Sequence, residues 1–520
     1  MNKTTQLNLV SQTVSRPTNR YSWLWLALGA VLLPFSLFQT VIPLAAWLAP
    51  VFLLRFARTQ RAVIALPLLG LTGYLAALVA LRSFFPAPLV FVLALPGLTI
   101  AFAYAIDKLL AGRFRGVLRT LVFPVADTAL GFLFSSGDFG SIGNLAYSQA
   151  GNLPLMQTVS IAGVWGLSFL IAWFAPVANE LWELGFDLRR SRSSWTFAAV
   201  LAAALLYGGV KLAFNPPTGQ TVQVAMLAPN RTLANDFNTA PLPAHPRTPD
   251  GQVGFQEQYL NPLLDDLFER SQQAASAGAQ IIAWSEAAGF VFKENEPAVI
   301  ERAQAIARQE QVYLQLGLVF ILPTGEYPTN ENRAILIGPN GEILWDYAKS
   351  TQVLNDGNAP GPGIIPAVDT PYGRLATVIC FDADFPALVR QAGQAQADIL
   401  LVPSSDWEPI AEMHARIAVF RAIENGMALA RPTRQGISLA ADRQGRLLGY
   451  KNDYFVAEDQ TLLVPIPMQR SGTLYVRTGD SFAYLVVVGF GALIFLALVR
   501  RGPRPEPTTT AEPGRDAVQV

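Results

Sequence analysis

Residues 377–385 read TVICFDADF and hold the chain's one cysteine. Cys380 closes the β-type run RLATVIC (374–380), with Phe381 and Asp382 directly behind it. A strand that stops on a nucleophilic side chain predicts an α/β domain, because such sheets gather reactive groups at one rim of strand ends. The alternation continues on both sides. Apolar runs of strand length fall at 221–228, 279–285, 312–320, 333–338, 397–403 and 437–441. Helical spacing falls at 252–276, 295–310, 384–394 and 410–427, with Phe255, Tyr259, Leu263, Leu264, Leu267 and Phe268 in one stripe. Helices over sheets are the expected layers. The Pro- and Asn-rich stretch 229–250 breaks the pattern and is expected to form a mobile flap.

Beyond this unit the sequence changes character. With 520 residues the chain exceeds one ordinary domain. Its 38 basic and 38 acidic residues balance, so no global field points to nucleic acid. Apolar residues concentrate in 21–214 and 482–499. A membrane helix needs about 20 mostly apolar residues, which predicts spans near 22–37, 39–54, 62–82, 87–107, 120–136, 158–178, 194–214 and 481–499. Only residues 38–41 separate the first two, so seven spans in place of eight stays open. The first span has no small-residue cleavage site, unlike a signal peptide.

Lys3, Arg16, Arg20, Arg55, Arg58, Arg61, Lys108, Arg113, Arg115, Arg119, Arg189, Arg190, Arg192, Arg500, Arg501 and Arg504 make every second loop basic. Basic loops stay on the cytoplasmic side, which predicts cytoplasmic termini and an α/β domain outside a bacterial-type cytoplasmic membrane. The expected organisation is a cytoplasmic start (1–21), a membrane domain (22–214), a catalytic domain (220–470), a last helix (481–499) and a disordered Pro/Thr-rich tail (502–520). Asp107 falls at a span end, within reach of water, and Asp127 nearer mid-span. One mid-span carboxylate is little for a conduit, so the membrane part reads as a platform, with a transporter carrying a soluble domain as the alternative.

Two more polar residues close apolar runs: Glu286 ends IIAWSE (281–286) and Lys349 ends EILWDYAK (342–349). Gathered at one rim with Cys380 they make chemical sense. The thiolate attacks a carbonyl, the carboxylate takes the thiol proton, and the ammonium with the Phe381 N–H stabilises the oxyanion. Spacing alone leaves a bland reading open, with a buried small hydrophobe, a surface lysine and a strand-end glutamate. Cys/His chemistry through His414 is a further alternative. The other histidine, His245, sits in a Pro-rich loop, and no Cys/His cluster suggests zinc or another cofactor. A lone cysteine makes no internal disulfide.

IIAWSE, YAK (347–349) and VICFD (378–382) resemble the Glu–Lys–Cys signatures of the nitrilase superfamily, whose fold is an α-β-β-α sandwich. Three further stretches resemble its membrane-bound branch, the apolipoprotein N-acyltransferase family: 144–171, 420–447 and TLYVRTGDSF (473–482). The resemblance covers nearly the whole chain apart from the termini and 230–255. It implies a multi-span helical membrane domain joined to a nitrilase-like sandwich, with Glu286 as base, Lys349 at the oxyanion and Cys380 as nucleophile. It also implies a phospholipid acyl donor, a thioester, and the N-terminal amine of a diacylglyceryl-cysteine lipoprotein as acceptor. Partners held in one membrane plane gain effective concentration.

The chain departs from the family at named positions. A second glutamate usual after the lysine is absent from KSTQVLNDGN (349–358), where Asp356 is the nearest carboxylate. Phe381-Asp382 stands where Tyr-Glu is common, and a usual glutamine is replaced in MLAPN (226–230). Asp382 is read as a cap for a helix starting near Asp384, or as a supporting site residue. Trp407, Tyr147 and Gln149 are candidate substrate contacts or packing residues, and Arg421 with Glu424 a surface or packing pair. The departures keep two alternatives beside acyl transfer to lipoprotein: an amidase or acyltransferase with another acceptor, and a silent lipoprotein-binding scaffold.

Overall fold

The computed structural model describes residues 21–37, 39–81, 91, 94–217, 219–240, 249–323, 326–353, 357–452 and 460–499. Asp356, residues 241–248 of the expected flap and both terminal segments lie outside the described residues.

Among the described residues, apolar helices stand where the eight spans are expected: Ser22–Leu32, Pro43–Thr59, Ala62–Ala80, Ala94–Leu110, Val117–Ser135, Val159–Glu183, Arg192–Phe214 and Ser481–Val499. Five of them, Ala62–Ala80, Val117–Ser135, Val159–Glu183, Arg192–Phe214 and Ser481–Val499, are long and apolar enough to cross a membrane. The chain is multi-pass. Asp107 differs from its expectation. It is 1% exposed, and Arg58 donates to its two oxygens at 2.9 Å each. A carboxylate removed from water needs a fixed counter-charge, and the neighbouring helix supplies one. Asp127 lines a cavity of about 190 Å³ with Tyr104, Thr128, Asn144, Trp165 and Ser168.

The α/β unit is built on two large sheets. The first contains β1 (Thr221–Leu227), β2 (Ile281–Trp284), β3 (Gly289–Phe292), β4 (Tyr313–Ile321), β5 (Asn330–Ile337) and β6 (Ile343–Ala348). The second contains β7 (Ala367–Thr370), β8 (Gly373–Thr377) and β9 (Ile399–Leu401), and β10 (Ser404–Ser405) pairs apart from it with β12 (Thr433–Arg434). β11 (Ala428–Arg431), β13 (Ile437–Ala441) and β14 (Leu447–Asn452) complete the second sheet, and β15 (Thr461–Pro467) returns to the first. The orders are β15-β1-β2-β4-β5-β6, with β3 beside β4, and β14-β13-β11-β9-β8-β7. Each has a parallel centre, β1-β2-β4 and β8-β9-β11, flanked by antiparallel strands.

Alternation along β1 sets the layers. Val222, Val224 and Met226 join the core shared with the second sheet, while Ala225 and Leu227 join the core under helices Asn261–Ser276 and Glu296–Glu310. Successive strand residues point to opposite faces, so one sheet buries two cores. Fully burying each such Val, Leu or Met contributes roughly 1.5–3 kcal/mol. Helix Glu408–Asn425 covers β11 and β13 and also packs on the membrane helix Val159–Glu183. The sandwich is therefore seated on the membrane part through its outer helix layer. Residues 231–239 of the expected flap form a helix, Arg231–Thr239, because the Asn230 side chain accepts the Thr232 and Leu233 N–H groups as an N-cap.

Candidate active site

Three strand ends deliver the three candidate residues. Glu286 follows β2, where the Ser285 N–H donates to the Leu227 carbonyl at 2.8 Å. Gly317 of β4 passes close to this turn, and a Cβ there would lie 1.9 Å from the Ser285 carbonyl oxygen, so only glycine fits. Lys349 follows β6, its N–H donating to the Asn332 carbonyl at 3.0 Å. β8 stops at Thr377, short of the run read to 380. Cys380 instead opens a 3-10 turn, Cys380–Asp384, with φ +46° and its N–H on the Pro403 carbonyl at 2.8 Å. A left-handed non-glycine residue costs on the order of 1 kcal/mol, so the surrounding bonds must hold it.

Glu286, Lys349 and Cys380 are all buried. Lys349 Nζ donates to Glu286 Oε1 at 2.8 Å, and Asn332 Nδ2 donates to the same oxygen at 2.7 Å. The Cys380 thiol faces the Ser405 carbonyl oxygen at 3.6 Å. Burial pushes the thiol well above its ordinary pKa and Glu286 adds to this, while Lys349 pulls it back. Burial opposes the charge on Lys349, yet Glu286 outweighs it and holds the ammonium above its usual value. The site thus holds a buried thiol and a buried, hydrogen-bonded lysine–glutamate pair.

Asp382 does not cap the following helix, which starts at Pro386 with Phe385 as N-cap and no side-chain cap bond. Proline supplies no N–H at that position, and the carboxylate faces inward. Its Oδ2 accepts from the Ile379 N–H at 3.0 Å and from Tyr347 Oη at 2.7 Å. Its Oδ1 accepts from the Thr351 N–H and hydroxyl at 2.8 Å each and from the Ser350 N–H at 3.2 Å. One side chain thus ties the cysteine turn to the segment leaving Lys349. Burial pushes this carboxyl above its usual range, against the pull of its donors.

The other expected residues are placed as follows. Phe381 is buried, its ring edge-on to Phe385 at 5.3 Å and stacked on His414 at 6.3 Å. Trp407 is half-buried at the start of helix Glu408–Asn425. Tyr147 is buried, bonded through its hydroxyl to Ser141 at 2.6 Å and Arg421 at 2.9 Å. Gln149 is buried and donates to the Pro43 carbonyl at 3.2 Å and Ser148 Oγ at 2.8 Å. Arg421 and Glu424 are a fully buried pair at 3.1 Å, not a surface one.

Sequence reasoning missed Asn332, although it shares a strand face with the buried Ala334 and Leu336, a polar residue in a core register. It also missed Asp406 and Arg431. A His414 ring nitrogen, an Asp406 oxygen and the Cys380 sulfur lie within 4.8 Å of one another. Those distances approach a metal triad, but the valences are spent. Both Asp406 oxygens accept from Arg431 Nη2 at 2.9 Å, and His414 faces Asp406 through Nδ1 at 3.1 Å and Asp384 through Nε2 at 3.4 Å. The group is a closed ion-pair cluster.

Comparison with known proteins agrees with the motif resemblance. A carbon-nitrogen hydrolase family model matches residues 256–477. The apolipoprotein N-acyltransferase of Geobacter metallireducens is 26% identical over 469 residues, covering 84% of this chain and 82% of that protein. That of Gloeobacter violaceus is 26% identical over 75% of each chain. Among solved structures, an amidase from Nesterenkonia sp. is 23% identical, covering 52% of this chain and 97% of its own, with a TM-score of 0.38.

Proposed function

We propose that this chain, a multi-pass protein whose carbon-nitrogen hydrolase domain is of the nitrilase superfamily, moves a phospholipid acyl chain through a Cys380 thioester to the N-terminal amine of a diacylglyceryl-lipoprotein. The observation that carries this reading is the buried Lys349–Glu286 bond of 2.8 Å, set at strand ends in the domain that also buries the chain's single cysteine. A neutral thiol is a poor nucleophile, and a carboxylate beside it supplies the missing base.

In the first stage Glu286 takes the thiol proton as sulfur attacks the ester carbonyl carbon. Lys349, with the Phe381 N–H, stabilises the oxyanion. Collapse breaks the ester C–O bond, the leaving alkoxide receives the proton from Glu286, and a lysophospholipid departs from the acyl-Cys380 thioester. In the second stage the amine attacks that thioester, Glu286 takes its proton, and the sulfur leaves and is reprotonated. The products are an N-acylated lipoprotein and the free thiol.

Both stages use membrane-held substrates, in keeping with the seat of the sandwich on membrane helices. The catalytic domain faces the extracytoplasmic side with both termini cytoplasmic, a reading supported by the basic loops. Product analysis tests the proposal. Full-length protein in phospholipid vesicles with a synthetic diacylglyceryl-cysteinyl peptide gives N-acylated peptide and lysophospholipid. Release of free fatty acid alone, or of ammonia from simple amides, would favour hydrolysis instead.

A further inference from the structure

Under the Cys380 turn lies a layer of four charged side chains that the acyl-transfer scheme does not use. Asp384 ends the turn itself, Asp406 follows β10, His414 sits on helix Glu408–Asn425 and Arg431 ends β11. All four are buried. His414 bridges the layer, with Nε2 toward Asp384 Oδ2 at 3.4 Å and Nδ1 toward Asp406 Oδ1 at 3.1 Å. Asp384 Oδ1 meets no hydrogen-bond partner among the described residues, so the imidazole is the close cation that this buried carboxylate has.

We propose that His414 is a positioning residue for the Cys380 nucleophile. As an imidazolium it ties the cysteine turn to the Asp406–Arg431 pair and keeps the layer under the sulfur electrically neutral. The inference rests on the reading of Cys380 as the nucleophile, and it excludes His414 as the base. A ring whose two nitrogens face two carboxylates holds both protons and has no lone pair to take a third.

The charges balance as two anions, Asp384 and Asp406, against two cations, His414 and Arg431. The neighbouring Arg421 faces Glu424 at 3.1 Å, and that pair is the same in every variant compared below. Burial alone favours neutral imidazole, but Asp384 and Asp406 overcome it and hold His414 above its usual pKa. Removing the His414 charge leaves one net negative charge within about a hydrogen bond's reach of the turn. Thiolate then becomes harder to form, since like charge disfavours ionisation. Removing the Asp384 charge does the opposite.

The sign reversal makes the test specific, and it needs no lipid. Cys380 is the single thiol, so iodoacetamide alkylation followed by mass at fixed pH 7 reads its thiolate directly. For the full-length protein in detergent, His414→Gln alkylates about tenfold more slowly than wild type, a shift of roughly one pKa unit. Asp384→Asn alkylates faster, and the double variant, neutral again, returns toward the wild-type rate. Variants that change the rate in the same direction, or by less than twofold, overturn the proposal. If His414→Gln does not fold, Asp384→Asn decides alone, by whether its rate rises. Failure of the acyl-transfer reading shows separately, as a wild-type protein that alkylates normally yet yields no N-acylated peptide.

Discussion

Glu424 Oε1 accepts the backbone N–H of Val164 at 2.9 Å. Gly163, at φ +63°, breaks the membrane helix Val159–Glu183 just before that N–H and leaves it without its helical acceptor. A carboxylate from the catalytic domain takes its place, as an acidic group does at a helix N-terminus. From Glu424 the bonding runs through Arg421 to Tyr147 at 2.9 Å and Ser141 at 2.6 Å, and the Ser141 hydroxyl donates to the Asp384 carbonyl at 2.7 Å. Asp384 lies in the cysteine turn. The site is thereby fixed relative to the membrane helices, as the proposed reaction between substrates held in that plane requires.

Glu424→Ala removes both the Val164 acceptor and the partner of a buried arginine, whereas Glu424→Gln keeps an acceptor. Stranding a buried charge costs about 3–5 kcal/mol. Both variants remove that counter-charge and are expected to lose stability on that scale, by thermal unfolding in detergent, the alanine variant by about 1–3 kcal/mol more because it also leaves the Val164 N–H without an acceptor. Equal losses would contradict the capping role.

Burial pushes the Glu424 carboxyl up to about 7, against the pull of Arg421. A folded-state pKa raised above the unfolded value contributes stability that is full at low pH and is lost as pH rises through the folded value. Wild-type unfolding temperature is expected to fall between pH 5 and pH 8, and more steeply than that of Glu424→Gln. Parallel slopes for the two proteins would remove Glu424 from the account.

Gly163→Ala meets two obstacles. Its Cβ would lie 2.7 Å from Tyr475 Cε2, and φ +63° disfavours any Cβ. Together these cost on the order of 2–3 kcal/mol, read as a lower unfolding temperature. A neutral outcome would mean that the helix break is not fixed by this packing.

Asp382→Asn turns an NH2 group toward an array of donors around the cysteine turn. Turnover is expected to fall by roughly one to three orders of magnitude, because the geometry of the turn suffers and lipid binding does not. Steady-state kinetics with the lipopeptide acceptor check this, and KM should change much less than turnover. A pure KM effect would place Asp382 at the substrate instead.

The seven apolar runs beginning at 221, 279, 312, 333, 374, 397 and 437 all correspond to strands, because central strands of a two-sided sheet are apolar throughout. β7, β14 and β15 escape such reading, since their half-exposed residues mix polarity and show no clean period. Glu286, Lys349 and Cys380 are legible as polar ends of apolar runs. Asp382 looks like a helix cap in sequence, and only the fold shows that it bonds across 31 residues to Thr351. His414 likewise gives no local sign of its two aspartates, one before its helix and one in the cysteine turn. Charge clusters built from separate elements are set by topology, which periodicity does not encode.

The most direct test of the central claim is the intact mass of the protein after incubation with phospholipid vesicles, for wild type, Cys380→Ala and Glu286→Ala. The account predicts an added acyl mass in wild type, removed by hydroxylamine and absent from both variants. Folded wild-type protein that stays at its unmodified mass with several phospholipids, with no acceptor present, would contradict a Cys380 thioester.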